Sequence, residues 1–210
     1  MTVVQKKMTR KQREQERHRN EILDAAERVF SRNGFRASSV TDIAREAEFA
    51  VGTLYNFFES KEHLYQELFL RKVGEIDPRI RAEVAAVKDP RKKIERLIDT
   101  NLYFVRKYRD FFLLHMNEVI GVLKPIPLPS PEVRRRYEDF IGFVAGVISD
   151  GIKKRVFEKC DPMYAAISLI GIVHNCGAMW ISGKAQAEMK IEELADFAKR
   201  MFFTGMLKSK

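Results

Sequence analysis

Four times in this chain a residue with a capping oxygen stands directly before a proline: Asp77-Pro78, Asp89-Pro90, Ser130-Pro131 and Asp161-Pro162. Each pair suits a helix start. The side-chain oxygen accepts from the first free amides, and proline at the first helical position has no amide to leave unpaired. Between these pairs apolar residues recur at helical period, and no alternating run bounded by turn residues reads as a strand. The expected fold class is therefore all-α, with about nine or ten helices near 18–33, 40–47, 51–57, 60–76, 78–87, 90–107, 109–122, 131–157, 162–182 and 191–207. Gly34 ends the first of these by supplying a left-handed cap. Lys124 to Pro129 is too rich in proline for a helix and reads as a stiff connector.

The chain has 210 residues, 45% hydrophobic and 32% charged, which suits a folded protein and not a disordered one. Two cysteines, Cys160 and Cys176, are too few for a disulfide scaffold and fit a reducing cytoplasm. The net charge of +9 favours polyanionic partners. That charge is uneven. The first twenty residues carry Lys6, Lys7, Arg10, Lys11, Arg13, Arg17 and Arg19 against Glu14 and Glu16, a net of +5, whereas residues 21–60 are net −3. No apolar run follows the basic start, so it does not read as an export signal. Residues 1–17 read as a basic flexible arm able to touch a polyanion. For residues 21–60, the case for nucleic acid must rest on geometry.

The densest local signal lies in residues 22–69. Ile22, Ala26, Val29 and Phe30 fall at i, i+4, i+7 and i+8 and give the first helix one buried stripe. Ser39-Val40-Thr41-Asp42 reads as a capping box, with Asp42 reaching back to Ser39. Ile43, Ala44 and Ala47 supply a small apolar face. After the break Glu48-Phe49-Ala50 a second short helix begins at Val51, and Ser60-Lys61-Glu62 caps the next. Two short helices joined by a tight turn and backed by a longer one make a helix-turn-helix, whose second helix enters the DNA major groove. There Gly52 allows close backbone approach, and Thr53, Tyr55 and Asn56 are polar groups among apolar ones. Leu54, Phe57 and Phe58 read as core. The domains expected are the arm 1–17, a DNA-binding domain 18–64 and a ligand-binding and dimerisation domain 65–210.

These residues resemble the TetR family of bacterial transcriptional regulators. The similarity runs through Ile22-Leu23-Asp24-Ala25-Ala26, Phe30, Gly34-Phe35, Val40-Thr41-Asp42-Ile43-Ala44, Gly52-Thr53-Leu54-Tyr55, Phe58 and Ser60-Lys61-Glu62. The resemblance implies an N-terminal DNA-binding domain, a variable C-terminal ligand domain and a homodimer. By position it implies phosphate contacts from Ser38, Ser39 and Thr41 at the start of the second helix and from Lys61 at the start of the fourth. It places Val51, Gly52, Thr53, Tyr55 and Asn56 on the recognition helix. The chain departs from the family before that helix, where Gly-Val-Ser is frequent and Glu48-Phe49-Ala50 stands here. Ala50 has no capping oxygen, which costs about 1 kcal/mol at that helix start. Val51 replaces a frequent polar or basic residue and suits a thymine methyl better than a guanine.

Met163 to Ser182 holds no charged residue over twenty positions, a length sufficient to span a bilayer. Ser168, His174, Asn175 and Cys176 interrupt it, and it reads instead as a helix buried on two sides, against its own domain and against a second subunit. Gly171, Gly177 and Ala178 permit close approach. Leu194, Phe197, Met201, Phe202 and Met206 give the last helix a wide apolar stripe. Helices 162–182 and 191–207 are expected to pair with their symmetry mates in a homodimer, with no membrane partner.

Tyr103, Phe104, Phe111, Phe112, His115, Met116, Phe140 and Asn175 are candidates to line a cavity for an unidentified small hydrophobic effector. His174 and Cys176 lie two apart on a helix and cannot chelate one metal. No Gly-x-Ser-x-Gly, Gly-x-x-x-x-Gly-Lys-Ser/Thr or Gly-x-Gly-x-x-Gly motif occurs, so no cofactor, metal or catalytic residue is expected. The chain reads as a repressor released from a palindromic duplex operator by an apolar or aromatic effector. The alternative is a DNA-binding regulator controlled by a protein partner, with no small-molecule pocket.

Overall fold

The computed structural model describes residues 8–112, 114, 130–183 and 189–206. Among them run α1 (Arg10–Asn33), α2 (Val40–Glu46), α3 (Val51–Tyr55), α4 (Lys61–Ala85), α5 (Pro90–Lys107), α6 (Pro131–Lys153), α7 (Pro162–Ile181) and α8 (Ile191–Met206), and no strand. The fold is all-α, as expected. The expected helix 109–122 is helical at 109–112. Residues 115–122, the connector at 124–129 and the first seven residues of the arm lie outside the described residues.

Three of the four proline pairs cap helices. Asp89 accepts from the Lys92 amide at 2.9 Å, Ser130 from Val133 at 3.3 Å, and Asp161 from Met163 at 2.8 Å and Tyr164 at 3.3 Å. The fourth does not: Pro78 lies inside a continuous α4. A proline in a helix interior costs about 3 kcal/mol. Here packing on its far side opposes that cost, because Ile80 and Val84 are buried in the core. Asp77 caps nothing; its carboxylate pairs at 2.8 Å with Arg81 on the next turn, across the proline.

Two other helix ends differ from expectation by four residues or more. α1 starts at Arg10 and not near 18, because Thr9 and Gln12 form a capping box. Residues 10–17 of the expected flexible arm are therefore helical. α6 stops at Lys153, four residues early. Arg155 adopts φ 59°, its amide bonds to Ile152 O at 2.9 Å, and Val156 N bonds to Gly151 O at 2.9 Å. This is a Schellman ending with arginine where glycine is usual. The chain then folds back so that the buried Phe157 ring lies on Gly151, where a Cβ would come within 2.2 Å of it.

The chain forms two compact units, Met1–Phe69 and Leu70–Lys210, and α4 contributes to both. In the first, α1 buries Ile22, Leu23, Ala25, Ala26, Val29 and Phe30. The rings of Phe30, Phe35 and Tyr65 meet at centroid distances of 5.4–6.2 Å. Gly34 does not take the expected left-handed cap conformation but sits at φ 76°, ψ 161°, a region open essentially to glycine alone. In the second unit, α5 packs against α6, α7 and α8, and α7 packs against α6 and α8. The core is built from residues such as Ile94, Leu97, Val144, Ile148, Leu169 and Phe202.

Candidate nucleic-acid interface

α2 begins with the expected capping box. Ser39 Oγ accepts from the Asp42 amide at 3.1 Å, and Asp42 accepts from the Ser39 amide at 3.0 Å. The Ser39 hydroxyl and amide hold the Asp42 carboxyl below the usual carboxylate range. Ile43 and Ala44 are buried, while Thr41 and Ser39 remain exposed. α2 ends in a second Schellman motif. Glu48, at φ 60°, donates its amide to Arg45 O at 3.3 Å, and Phe49 donates to Ala44 O at 3.0 Å. The His18 ring meets Phe49 edge-on at 5.2 Å, which ties this turn to α1.

α3 follows with Ala50 as an N-cap that lacks a side-chain hydrogen bond. Leu54 is 1% exposed and Phe58 is 3% exposed; together they anchor the helix to the unit's core. Val51, Gly52, Tyr55 and Asn56 face outward, with Tyr55 54% exposed, and Thr53 is half-buried. A Cβ on Gly52 would meet no atom within 4 Å, so the protomer's own packing does not demand glycine there. An exposed polar surface on a short, well-anchored helix after a tight turn is what major-groove reading requires.

Two residues expected at phosphate are engaged inside the unit. Ser38 is buried, and its hydroxyl donates to Gly34 O at 2.6 Å. Lys61 Nζ donates to Phe35 O and Ser38 O, both at 2.8 Å, and lies 4.5 Å from the centre of the Phe35 ring. Both side chains fasten the loop between α1 and α2. Position in a motif gives their residue type and not their direction. Glu46 is gripped by Arg28 at 2.7 Å and by Arg32, which hold its carboxyl below the usual range.

In the second unit the effector candidates differ in burial. Phe104, Phe111 and Phe112 are buried, Phe140 is half-buried, and Tyr103 and Asn175 are exposed. His115 and Met116 lie outside the described residues. Phe112 clusters with Val105 and Ile181, beside Trp180. Its ring meets His174 edge-on at 5.3 Å, and desolvation lowers the pKa of His174 to about 4. Sequence reasoning does not single out Trp180 or Tyr108. Trp180 Nε1 donates to Met189 O at 2.7 Å, and the Tyr108 hydroxyl donates to Glu75. A lone aromatic at helical period carries no sign of such a polar partner.

α7 has two apolar faces. Ala166, Leu169, Ile170, Val173, Gly177 and Ile181 are buried in the protomer. Tyr164, Ile167 and Met179 on the other face are exposed, Tyr164 by 73%, as are Phe197 and Met201 of α8. By length and mean hydropathy, 1.4, α7 could cross a membrane, but its buried face belongs to the core of this unit. Gly177 and Phe202 face that core as well.

The geometry is that of a helix-turn-helix unit followed by a separate helical unit. Residues 22–68 match the family described as bacterial regulatory proteins, tetR family. The fatty acid metabolism regulator protein of Bacillus subtilis (strain 168) is 24% identical over 168 residues, which cover 77% of this chain and 82% of that protein. The structure of FadR from Bacillus subtilis in complex with stearoyl-CoA matches with a TM-score of 0.76 at 19% identity, covering 89% of this chain and 98% of that one. AibR in complex with isovaleryl coenzyme A and operator DNA matches at 0.75 and 18% identity, covering 90% and 99%.

Proposed function

We propose that this chain is a cytoplasmic, dimeric transcriptional repressor without enzymatic activity. It binds a near-palindromic operator and is released by an apolar small molecule, in the first instance an acyl-CoA thioester. The observation that carries the reading is α3: Leu54 is locked into the core while Val51, Gly52, Tyr55 and Asn56 are presented to solvent. In this reading Ser39 and Thr41 hold phosphates and α3 reads base edges. The exposed apolar face of α7 and α8 supports an isologous dimer, and two-fold symmetry then asks for two half-sites. The effector class is supported by the relatives whose structures hold stearoyl-CoA and isovaleryl-CoA.

An effector acts only through unequal affinity for the DNA-competent and DNA-incompetent states. A coupling of about 1–3 kcal/mol changes operator affinity roughly 5–150-fold, and DNA must weaken effector binding by the same factor. Selecting bound fragments from genomic DNA yields the operator. Acyl-CoAs of graded chain length are then titrated with and without it. Equal acyl-CoA affinity in both titrations removes the switch. Absence of binding at every chain length removes the effector class and leaves DNA binding standing.

A further inference from the structure

Residues 21–69, which carry α3, are poor in available positive charge. Residues 21–69 hold nine acids against Arg28, Arg32, Arg36, Arg45 and Lys61, a net of −4. At least four of those five cations are engaged within the unit: Arg28 and Arg32 on Glu46, Arg45 on Asp42, and Lys61 on loop carbonyls. Duplex DNA is bound largely by neutralising phosphates, and this body has little with which to do so.

The missing charge lies on the start of α1. Residues 10–17 are helical and exposed at every position. Arg10, Arg13 and Arg17 fall at i, i+3 and i+7 and so share one side. Arg10, Lys11 and Arg13 form no side-chain ion pair or hydrogen bond among the described residues. Packing of α1 on the unit is already in place at His18 against Phe49 and at Arg19 against Glu67 and Phe58. The Phe49 contact puts the root of the extension beside the turn that leads into α3. From there eight residues at 1.5 Å each project about 12 Å.

We infer that residues 10–17 are a helical prong of the DNA interface, whose Arg10, Lys11 and Arg13 hold backbone phosphates flanking the half-site read by α3. The prong supplies sequence-independent affinity that the acidic body cannot, while α3 supplies the reading. This rests on the DNA-binding function proposed above.

The test uses the full chain and its selected operator. One variant carries Arg10→Gln, Lys11→Gln and Arg13→Gln, which removes charge and keeps good helix formers. A second, Gln15→Pro, keeps every charge and breaks the prong; circular dichroism and melting confirm that both fold. For the first, the salt dependence of binding should flatten by roughly 0.9 for each phosphate no longer neutralised, about two to three per prong. Hydroxyl-radical protection should recede from the flanks by about 3–4 base pairs, given ~3.4 Å per step. Gln15→Pro should lose the flanking protection while keeping most of the salt slope. An unchanged slope and footprint in the first variant removes the prong from the interface. Intact flanking protection in Gln15→Pro makes it a flexible tail and overturns the prong. A wild-type chain that selects no DNA refutes the DNA-binding function itself, and the prong with it.

Discussion

In the unit ending at Phe69, α3 with its C-cap Asn56 buries Leu54 and shows Gly52, Tyr55 and Asn56 to solvent. In the unit from Leu70 onward, α7 buries Leu169 and Val173 and shows Tyr164, Ile167 and Met179. The inward faces obey the same rule, apolar residues at helical spacing. The outward faces differ in chemistry, and that difference separates two kinds of partner. A polar, glycine-containing face loses little in water and fits a hydrated groove lined with donors and acceptors. A face that carries large apolar residues beside Ser168 and Asn175 is costly in water and fits a second copy of itself.

The largest expected effect comes from charging the apolar face. Ile167→Asp with Met201→Asp touches exposed positions, so the protomer should fold with near-normal melting. The dimer would then have to bury unpaired carboxylates at about 3–5 kcal/mol, enough to raise its dissociation constant more than a hundredfold. Sedimentation should show monomer, and a dimer that persists would move the interface elsewhere. Gly177→Glu serves as contrast. A Cβ at Gly177 already falls 2.9 Å from Val105 Cγ1, so this change should unfold the protomer and not merely separate two.

On the polar face the effects are smaller and should leave folding untouched. Asn56→Ala should weaken operator binding by about 1–3 kcal/mol if its amide reads a base, with no change in melting. Gly52→Ala should move the two readouts in opposite directions. Open space surrounds the position, and alanine is favoured over glycine in helices by up to ~1 kcal/mol. Stability should therefore hold or rise while operator affinity falls. Equal affinity for Gly52→Ala would show that α3 does not approach DNA at that point.

What can be read from the sequence follows from where each signal comes from. Buried faces and side-chain caps are local, so Asp89, Ser130, Asp161 and the Ser39 box are all legible. The start of α1 leaves a readable trace in Thr9 and Gln12, but the exposed residues after it carry no apolar period. Pro78 misleads because packing of Ile80 and Val84 outweighs a local preference. Side-chain direction is the least legible quantity. Ser38 and Lys61 have the right chemistry for phosphate, yet backbone carbonyls of the neighbouring loop claim them.

The smallest expected effects join the two units, because α2 and α6 end alike. Glu48 and Arg155 occupy the left-handed position of Schellman motifs, at φ 60° and φ 59°. A side chain there costs about 1–2 kcal/mol, and glycine recovers that less the entropy it adds to the unfolded chain, about 0.4–1 kcal/mol. Glu48→Gly and Arg155→Gly should each stabilise the protein by about 0.5–1 kcal/mol in denaturant titrations. Only Glu48→Gly should also tighten operator binding, because it removes an anion from the turn leading into α3. Glu48→Ala separates the two causes: it removes the charge and keeps the strain, so affinity should rise without a gain in stability. If Arg155→Gly changed operator affinity as much as Glu48→Gly, the gain would belong to general stability, and the turn before α3 would have no electrostatic part in binding.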